Sequence, residues 1–180
     1  MPTGGIDLEH LSDYVDAKTK MVLIQRSRGY SLRATLTVAE IAAACAAVKA
    51  IAPECICFVD NCYGEFVEVQ EPTAVGADIM AGSLIKNPGG GLAPTGGYIA
   101  GRRDLVELAA FRLTAPGIGA ELGASLGGNR LLYQGLFVAP HTTAQAVKGA
   151  IFASDKYEKL GYKTLPHWSV QQGDIIKAIT

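Results

Sequence analysis

Lys86 stands between an apolar segment and a glycine-rich turn, where an amine could do carbonyl chemistry. The apolar segment of residues 76–85 ends at this lysine, and an Asn-Pro-Gly-Gly-Gly turn follows at residues 87–91. A partly desolvated lysine has a lowered pKa, because burial disfavours the charged form. The neutral amine can then form a Schiff base with a carbonyl cofactor. The alternative is a strand-end lysine that extends its ammonium group into solvent.

A second polar group follows residues 55–59, which have the length and composition of a buried strand. Asp60 ends this segment, and Tyr63 lies three residues further on. Pyridoxal phosphate needs a lysine for its covalent attachment and an acid for its pyridine nitrogen, and Lys86 and Asp60 supply these groups. Tyr63 could hydrogen-bond the ring hydroxyl, and Ser83 could bind the phosphate together with nearby backbone N–H groups. The order of these residues is the order that this cofactor requires.

The segments around these residues resemble a known family, and the resemblance covers essentially the whole chain. Residues 59–68 (VDNCYGEFVE) and 82–97 (GSLIKNPGGGLAPTGG) look like the methionine gamma-lyase-like, or aluminium resistance, family. That family belongs to the fold-type I pyridoxal phosphate enzymes of cysteine and methionine metabolism. Other similar segments lie at residues 24–30, 114–119, 133–137 and 174–179.

The resemblance implies a pyridoxal phosphate-dependent lyase that acts on a sulfur-containing amino acid by beta or gamma elimination at a C–S bond. Lys86 would hold the cofactor and act as the catalytic base, and Asp60 would keep the pyridine nitrogen protonated. Tyr63 and Ser83 would bind the ring hydroxyl and the phosphate. A homodimer or homotetramer with sites at subunit interfaces is a further expectation. Two alternatives stay open: a pyridoxal phosphate-dependent aminotransferase, and a non-catalytic, truncated α/β module.

The order of predicted elements indicates an α/β fold with a mostly parallel sheet. Residues 19–25 form a continuous apolar run, typical of a strand buried on both faces. Thr37 and Glu40 form a capping box at the start of a helix, which Pro53 ends. Residues 55–59 form the next strand, and a crossover of this length predicts a right-handed, parallel βαβ unit. The resemblance extends this to the three-layer αβα large domain of fold-type I transferases.

The rest of the chain continues the alternation of strands and helices. We predict a third strand at residues 77–85 and, after a short turn, a fourth and antiparallel strand at residues 97–101. No G-x-G-x-x-G motif follows a strand, so a dinucleotide site is not supported. Residues 164–169 are predicted to form a loop. Helices are predicted at residues 6–15, 102–113, 121–132 and 139–160, and from residue 173 onward.

The resemblance also predicts which part of an enzyme this chain represents. Residues 1–180 correspond to the central part of the cofactor-binding large domain. Neither the upstream glycine-rich turn that binds the phosphate nor the small C-terminal domain with its arginine for the substrate carboxylate is identifiable. We therefore expect a central fragment, or a split or truncated product, of a longer enzyme.

Composition and charge exclude several other functions. Hydrophobic residues make up 49% of the chain and charged residues 18%, and the formal net charge is −1. This near-neutral charge predicts no partner among nucleic acids or acidic membranes. No apolar run reaches the roughly 20 residues of a membrane-spanning helix, and the N-terminus lacks a signal pattern. A cytoplasmic location is the resulting expectation.

The cysteines do not indicate a metal site or a disulfide framework. Cys55, Cys57 and Cys62 lie within one predicted strand and its exit, and the histidines are scattered along the chain. We predict no metal site, because a second cluster of ligands at zinc spacing is missing. Reduced cysteines that pack as small apolar groups are the favoured interpretation. Cys62, which is beside Asp60, could touch the cofactor pocket.

The roles of two groups of charged residues remain to be assigned. Arg26 and Arg28 follow the first strand, at the edge of the sheet where ligands bind in open α/β folds. Either arginine could pair with a phosphate or a carboxylate, or be a solvated charge. Glu65, Glu68 and Glu71 are interpreted as a solvated face rather than as acid–base groups.

Overall fold

The computed structural model of this protein describes residues 5–123 and 127–180. Strand β1 (Met21–Gln25), helix α1 (Val38–Ile51) and strand β2 (Ile56–Asp60) form the βαβ unit that the sequence predicts. The two strands pair in parallel, with Gln25 beside Asp60. This pairing places the polar residues that follow both strands at the same edge of the sheet.

Two further strands complete a four-stranded sheet in the order β1-β2-β3-β4. Strand β3 (Ile79–Ser83) is parallel to β2, and strand β4 (Gly97–Gly101) is antiparallel to β3, as predicted. Because the first three strands run in the same direction, their carboxyl ends meet at one edge. Asp60 and Ser83 are the last residues of β2 and β3, so the sheet itself brings these two predicted site residues together.

Helix α1 begins at the predicted capping box and covers one face of the sheet. The Thr37 hydroxyl accepts the backbone N–H of Glu40, and the Glu40 carboxylate accepts that of Thr37. The buried positions of the helix are spaced three or four residues apart, as in an amphipathic helix. They join the inward side chains of β1 and β2 in a core that includes Ile24, Ile41, Cys45, Val48, Cys57 and Val59.

The opposite face of the sheet is open in the part of the chain that the structure describes. Met21, Leu23 and Ile99 are 50%, 62% and 44% exposed. A three-layer fold needs helices on both faces, and the described residues supply such cover on only one. The structure therefore shows a mixed α/β fold with a mostly parallel sheet, and the second helical layer stays a prediction.

Helix α2 (Arg103–Leu113) lies within a residue of its predicted bounds, whereas helix α3 (Asn129–Lys159) replaces two predicted helices. The buried residues Gly135, Ala139 and Thr143 of α3 are four residues apart and therefore lie on one face of the helix. This buried face is continuous on both sides of Pro140, and the helix continues through the proline. Pro140 is exposed, so the carbonyl that loses its helical partner there can be hydrated. The prediction for residues 121–132 falls partly on residues 124–126, which lie outside the described residues.

Two of the predicted helices at the ends of the chain are wrong. The first is reduced to one 3₁₀ turn at Leu11–Asp13. From residue 173 onward the chain forms no helix, and strand β6 (Ala178–Ile179) pairs with strand β5 (Thr164–Leu165), within the predicted loop. Tertiary pairing thus overrides the local apolar pattern. None of the helices in residues 5–123 and 127–180 combines the length and apolar composition needed to cross a bilayer.

Candidate active site

A cleft of about 780 Å³ lies at the carboxyl edge of the parallel strands. Asp60, Tyr63 and Lys86 line it, together with Cys62 and Arg28. Ligands bind at this edge in open α/β sheets, because the loops that leave the strands surround it. Three of the four residues that the sequence singled out for a cofactor therefore face one cavity.

Ser83, the fourth predicted residue, lies in an adjoining depression of about 400 Å³. Asp60 and Cys62 line both cavities, so the two are direct neighbours. Strand β3 ends at Ser83, two residues earlier than predicted, and the backbone N–H of Lys86 donates to the Ser83 carbonyl at 3.2 Å. Lys86 consequently lies in a turn beyond the strand rather than at the strand end.

The Lys86 ammonium group lies over the ring of Tyr63, with Nζ 4.2 Å from the ring centroid. Burial acts to lower the pKa of Lys86, but the nearby side chains of Tyr63, Cys62 and Asp60 act in the opposite direction. The net result is a pKa above the ordinary lysine value. The predicted lowering of this pKa is therefore wrong, because the cleft surrounds the ammonium with acceptors as well as partly removing it from water.

The loop that carries Tyr63 is held in a strained conformation. Tyr63 has a φ of 69°, in the left-handed region that side chains other than glycine rarely adopt. Asn87, next to Lys86, donates from Nδ2 to the backbone carbonyls of Tyr63 and Glu65, both at 3.0 Å. These bonds tie the Tyr63 loop to the Lys86 turn. Strain of this kind persists only where surrounding contacts fix it, and it is common at functional sites.

Helix α3 packs directly against the Lys86 turn through close contacts between glycines. A Cβ on Gly135 would overlap the carbonyl oxygen of Gly89, and one on Gly90 would overlap the carbonyl oxygen of Gly135. Gly90 also has a φ of 54°, which favours glycine. The glycines that follow Lys86 therefore allow the turn to lie directly on the helix backbone.

Asp60 is fixed by the backbone around it. Its Oδ1 atom accepts the backbone N–H of Cys62 at 3.1 Å, and its carbonyl accepts that of Arg26 at 3.0 Å. Burial, followed by the hydrogen bond to Asp60, raises the pKa of the Cys62 thiol. Cys62 is thus a neutral part of the cleft wall beside the Asp60 side chain.

A buried polar layer, which the sequence did not predict, lies behind the site. Arg26 is fully buried and donates from Nη1 to Asn61 Oδ1 and from Nη2 to Glu68 Oε1, both at 2.8 Å. Asn61 Nδ2 also donates to Glu71 Oε2 at 2.8 Å. The interpretation of these acids as a solvated face is wrong, because parallel pairing sets the exit of β1 beside that of β2. That adjacency is the signal by which Arg26 could have been matched with the acids from sequence.

Glu65 belongs to this layer and is the least solvated of the three acids. It is 3% exposed, and the Tyr98 hydroxyl donates to its Oε1 atom at 2.9 Å. Burial raises the pKa of Glu65 to about 7. Its Oε2 atom has no hydrogen-bond partner within the described residues. This carboxyl group is therefore protonated over much of the range in which ordinary glutamates are charged.

The cysteines are free thiols, as the sequence predicts, and Cys45, Cys55 and Cys57 are buried in the apolar core. In residues 5–123 and 127–180, no group of three or more histidine, cysteine or acidic side chains could hold a metal ion.

Comparison with known sequences places the chain in a family. Residues 1–180 match the methionine gamma-lyase family along their whole length. The chain belongs to the methionine gamma-lyase family. This confirms the resemblance that residues 59–68 and 82–97 predicted.

Two relatives show how much of a family member this chain covers. It is 49% identical over 176 residues to the protein YnbB of Bacillus subtilis, which covers 98% of this chain and 42% of YnbB. It is 51% identical over 177 residues to a 33.9 kDa protein from the glnA 5′ region of Lactobacillus delbrueckii subsp. bulgaricus, with 98% and 58% covered. This chain thus spans about half the length of these relatives.

Solved structures agree with this family assignment. A candidate cystathionine beta-lyase involved in aluminium resistance from Listeria monocytogenes is 53% identical, with a TM-score of 0.96, over 100% of this chain and 44% of its own. A carbon-sulfur lyase involved in aluminium resistance from Clostridium novyi is 47% identical, with a TM-score of 0.94, over 99% and 43%. Cystathionine gamma-lyase from Lactobacillus plantarum has a TM-score of 0.61 at 19% identity over 86% and 37%, which shows a shared fold alone.

Proposed function

We propose that this chain is the central part of the large domain of a fold-type I pyridoxal phosphate enzyme, a lyase that breaks the C–S bond of a sulfur-containing amino acid. The observation that carries the proposal is the meeting of Lys86 with Asp60 and Tyr63 in one cleft. Support also comes from the family and from the lyase names of its similar structures.

The residues of the cleft fit pyridoxal phosphate. Its aldehyde requires a primary amine at a cavity wall, and Lys86 lies there. Its pyridine nitrogen requires a carboxylate, and Asp60 lines the same cavity. Its phosphate requires donors and space, and the depression at Ser83 is lined by Gly96 and Gly97, which present backbone without side chains.

The side chains that line the two cavities have defined roles in this proposal. Lys86 would hold the cofactor covalently and, when free of it, accept the proton from the substrate's alpha carbon at Nζ. Asp60 would keep the pyridine nitrogen protonated, and Tyr63 would hydrogen-bond the ring hydroxyl. Ser83 would bind the phosphate. Once bound, the cofactor supplies an electron sink for the cleavage.

The raised pKa of Lys86 has a direct consequence for cofactor loading. A protonated amine cannot attack an aldehyde, so Nζ must first lose its proton. Because Tyr63, Cys62 and Asp60 raise this pKa against the effect of burial, loading should accelerate as the pH rises above neutrality.

Cofactor loading at Lys86 is the first test. Pyridoxal phosphate is added to the purified protein, the visible absorbance is followed, and borohydride reduction with peptide mapping locates the label. We expect the label on Lys86 and its loss in Lys86→Ala. The control variant Lys148→Ala, which keeps Lys86 and replaces an exposed lysine of helix α3, should be labelled fully. Equal labelling of both variants, or no label at Lys86, would contradict the proposed cofactor site.

The reaction itself is tested on the protein that carries this chain, because its relatives are about twice as long. Sulfur-containing amino acids are supplied, and thiol release is measured beside amino-group transfer to a keto acid. We expect thiol release with little transfer, which distinguishes a lyase from an aminotransferase. Cofactor loading followed by transfer without thiol release would contradict the lyase assignment.

Assembly and location belong to the same proposal. A homodimer or homotetramer in the cytoplasm would bring other subunits to the cleft. The open face of the sheet, with Met21 and Leu23 exposed, is compatible with cover from elsewhere in the assembly or the longer chain. Light scattering on the purified protein measures the oligomeric state.

A further inference from the structure

Arg28 follows strand β1 and lies in the wall of the same cleft. The residue is 3% exposed, and among the described residues neither Nε nor Nη1 of its guanidinium has a hydrogen-bond partner. Buried polar groups are normally hydrogen-bonded, and a buried charge without a partner is strongly unfavourable. Arg28 thus has a fixed, desolvated positive charge with donors to spare.

Asp174, the carboxylate whose charge acts on Arg28, does not supply these hydrogen bonds. Asp174 Oδ2 accepts the hydroxyl groups of Ser27 and Thr35, both at 2.7 Å, and its Oδ1 accepts the backbone N–H of Ile176 at 3.0 Å. Asp174 therefore acts on Arg28 through its charge rather than through a hydrogen-bonded ion pair. Burial is the larger influence on Arg28, and it lowers the pKa of this guanidinium.

Arg26 provides an internal comparison two residues earlier in the chain. Its Nη1 and Nη2 atoms donate to Asn61 and Glu68, both at 2.8 Å, so its guanidinium group has hydrogen-bond partners inside the fold. The sequence left both arginines open as partners for a ligand. The two arginines differ in the structure, because Arg26 forms ion pairs with half-buried acids and Arg28, among the described residues, does not.

Lys177 adds a second positive charge to the same wall of the cleft. Its Nζ atom donates to the Pro166 carbonyl at 2.9 Å and to Gln172 Oε1 at 2.6 Å, which fixes its position. Burial and the charge of Arg28 lower the pKa of Lys177 to about 8. The two cations therefore repel each other, and an anion between them would relieve this repulsion.

The order of the strands separates this wall from the predicted phosphate position. Arg28 follows β1 and Ser83 ends β3, whereas Asp60 ends β2, which lies between them. Neighbouring strands lie about 4.8 Å apart, so the two outer strands are roughly 10 Å apart. A ligand with its phosphate at Ser83 and its ring at Asp60 leaves the Arg28 side for a second anionic group.

We propose that Arg28, assisted by Lys177, binds a carboxylate of the amino-acid substrate, in addition to the arginine that the resemblance places in the small C-terminal domain. A guanidinium presents parallel N–H donors that match the two oxygens of a carboxylate. The identity of the ligand rests on the proposed function, whereas the anion site rests on the unpaired guanidinium alone. A phosphate offers similar oxygens, and the experiment has to distinguish the two.

The kinetic test compares Arg28→Gln and Arg28→Lys with the parent protein that carries this chain. Arg102→Gln is the matched control, because Arg102 is half-exposed and pairs with Asp78 and Asp104. Each protein receives a sulfur-containing amino acid and its primary amide, which lacks the carboxylate charge. We expect Arg28→Gln to raise KM for the acid by about 10- to 100-fold, the usual range for a charge-assisted hydrogen bond, with a smaller effect on the amide and on kcat. Arg28→Lys should recover part of the loss.

A binding test needs no activity. Cofactor-free parent protein, both Arg28 variants and Arg102→Gln are titrated calorimetrically with malonate, inorganic phosphate, pyridoxal phosphate and pyridoxal. We expect malonate binding in the parent that Arg28→Gln abolishes and Arg102→Gln retains. If Arg28→Gln weakens pyridoxal phosphate but not pyridoxal, the site holds the cofactor phosphate and the carboxylate assignment is overturned.

Failure of this proposal is distinguishable from failure of the proposed function. Label at Lys86 in the parent, with unchanged acid-to-amide preference and anion binding in a folded Arg28→Gln, overturns the Arg28 proposal alone. No label at Lys86 overturns the cofactor assignment, and the malonate titration then still decides whether Arg28 binds an anion. Circular dichroism verifies the fold of each variant.

Discussion

The Nζ atom of Lys86 lies 4.2 Å from the centre of the Tyr63 ring. An ammonium over an aromatic face is attracted by the ring, and the nearby Tyr63 side chain raises the pKa of Lys86 against the effect of burial. Tyr63 is thus positioned to keep the lysine protonated in the free protein.

Replacing this phenol should make Lys86 more reactive. Tyr63→Phe keeps the ring and removes the hydroxyl group, so the pKa of Lys86 should fall and its labelling at pH 8 by an amine reagent should accelerate by about 3- to 10-fold. Mass spectrometry of the peptide that contains residue 86, over a series of pH values, measures this rate. The exposed Tyr133→Phe is the control and should change nothing. An unchanged rate in Tyr63→Phe would show that the phenol does not set this pKa.

Asn87→Ala should loosen the Tyr63 loop. The substitution removes the donor that serves the carbonyls of Tyr63 and Glu65. Each buried acceptor left without a partner costs about 1–3 kcal/mol, so the free energy of unfolding should fall by about 2–4 kcal/mol. Urea unfolding measures it, with the exposed Gln70→Ala as the control. A fall no larger than that of the control would mean that the loop is fixed by other contacts.

Two glycines of helix α3 should respond to alanine in opposite ways. Gly149 has open space around it, so Gly149→Ala should raise the free energy of unfolding by about 1 kcal/mol through helix propensity. Gly135→Ala would place a methyl group against the Gly89 carbonyl and should lower it by about 1–3 kcal/mol. Thermal or urea unfolding measures both.

Because Gly89 follows the Lys86 turn, Gly135→Ala should also slow cofactor loading at Lys86, whereas Gly149→Ala should not. Stabilisation by both substitutions would contradict the close approach of α3 to this turn.

The Glu65 carboxyl group should make stability depend on pH. Burial raises its pKa from the ordinary value of 4.5 to about 7, so the folded state holds a proton that the unfolded chain has already lost. The stabilisation is complete below pH 4.5 and is lost as the pH rises to about 7, by up to ~3 kcal/mol.

Glu65→Gln should flatten this fall, whereas the exposed Glu54→Gln should preserve it. Urea unfolding between pH 4.5 and 8 measures the slope for each protein. Parallel curves for the parent and Glu65→Gln would show that another group is responsible.

Local sequence patterns determined much of the fold. The capping box at Thr37, the helix stop near Pro53 and the apolar runs of β1 and β2 are signals between near neighbours in the chain, and the βαβ unit follows from them. The turn before β4 predicted the antiparallel pair. Strand ends could be located in this way because a polar residue after an apolar run is a local event.

Long-range contacts decided what the sequence left open or assigned wrongly. The pairing of β5 with β6 overrode a helical pattern after residue 173, and the continuous buried face of α3 carried it past Pro140. Neither outcome is visible in a local window, because the stabilising partner is distant in sequence.

The site shows the same division. The sequence by itself determined that Asp60 and Lys86 lie at the ends of apolar segments, with Tyr63 three residues after Asp60 and Ser83 three residues before Lys86. Only the tertiary structure decided that Lys86 has a raised pKa, that Arg26 is paired internally, and that two buried guanidinium nitrogens of Arg28 have no hydrogen-bond partner among the described residues. The physical reason is that pKa values and hydrogen-bond partners depend on burial and on distances between groups far apart in the chain, which residue order alone does not specify.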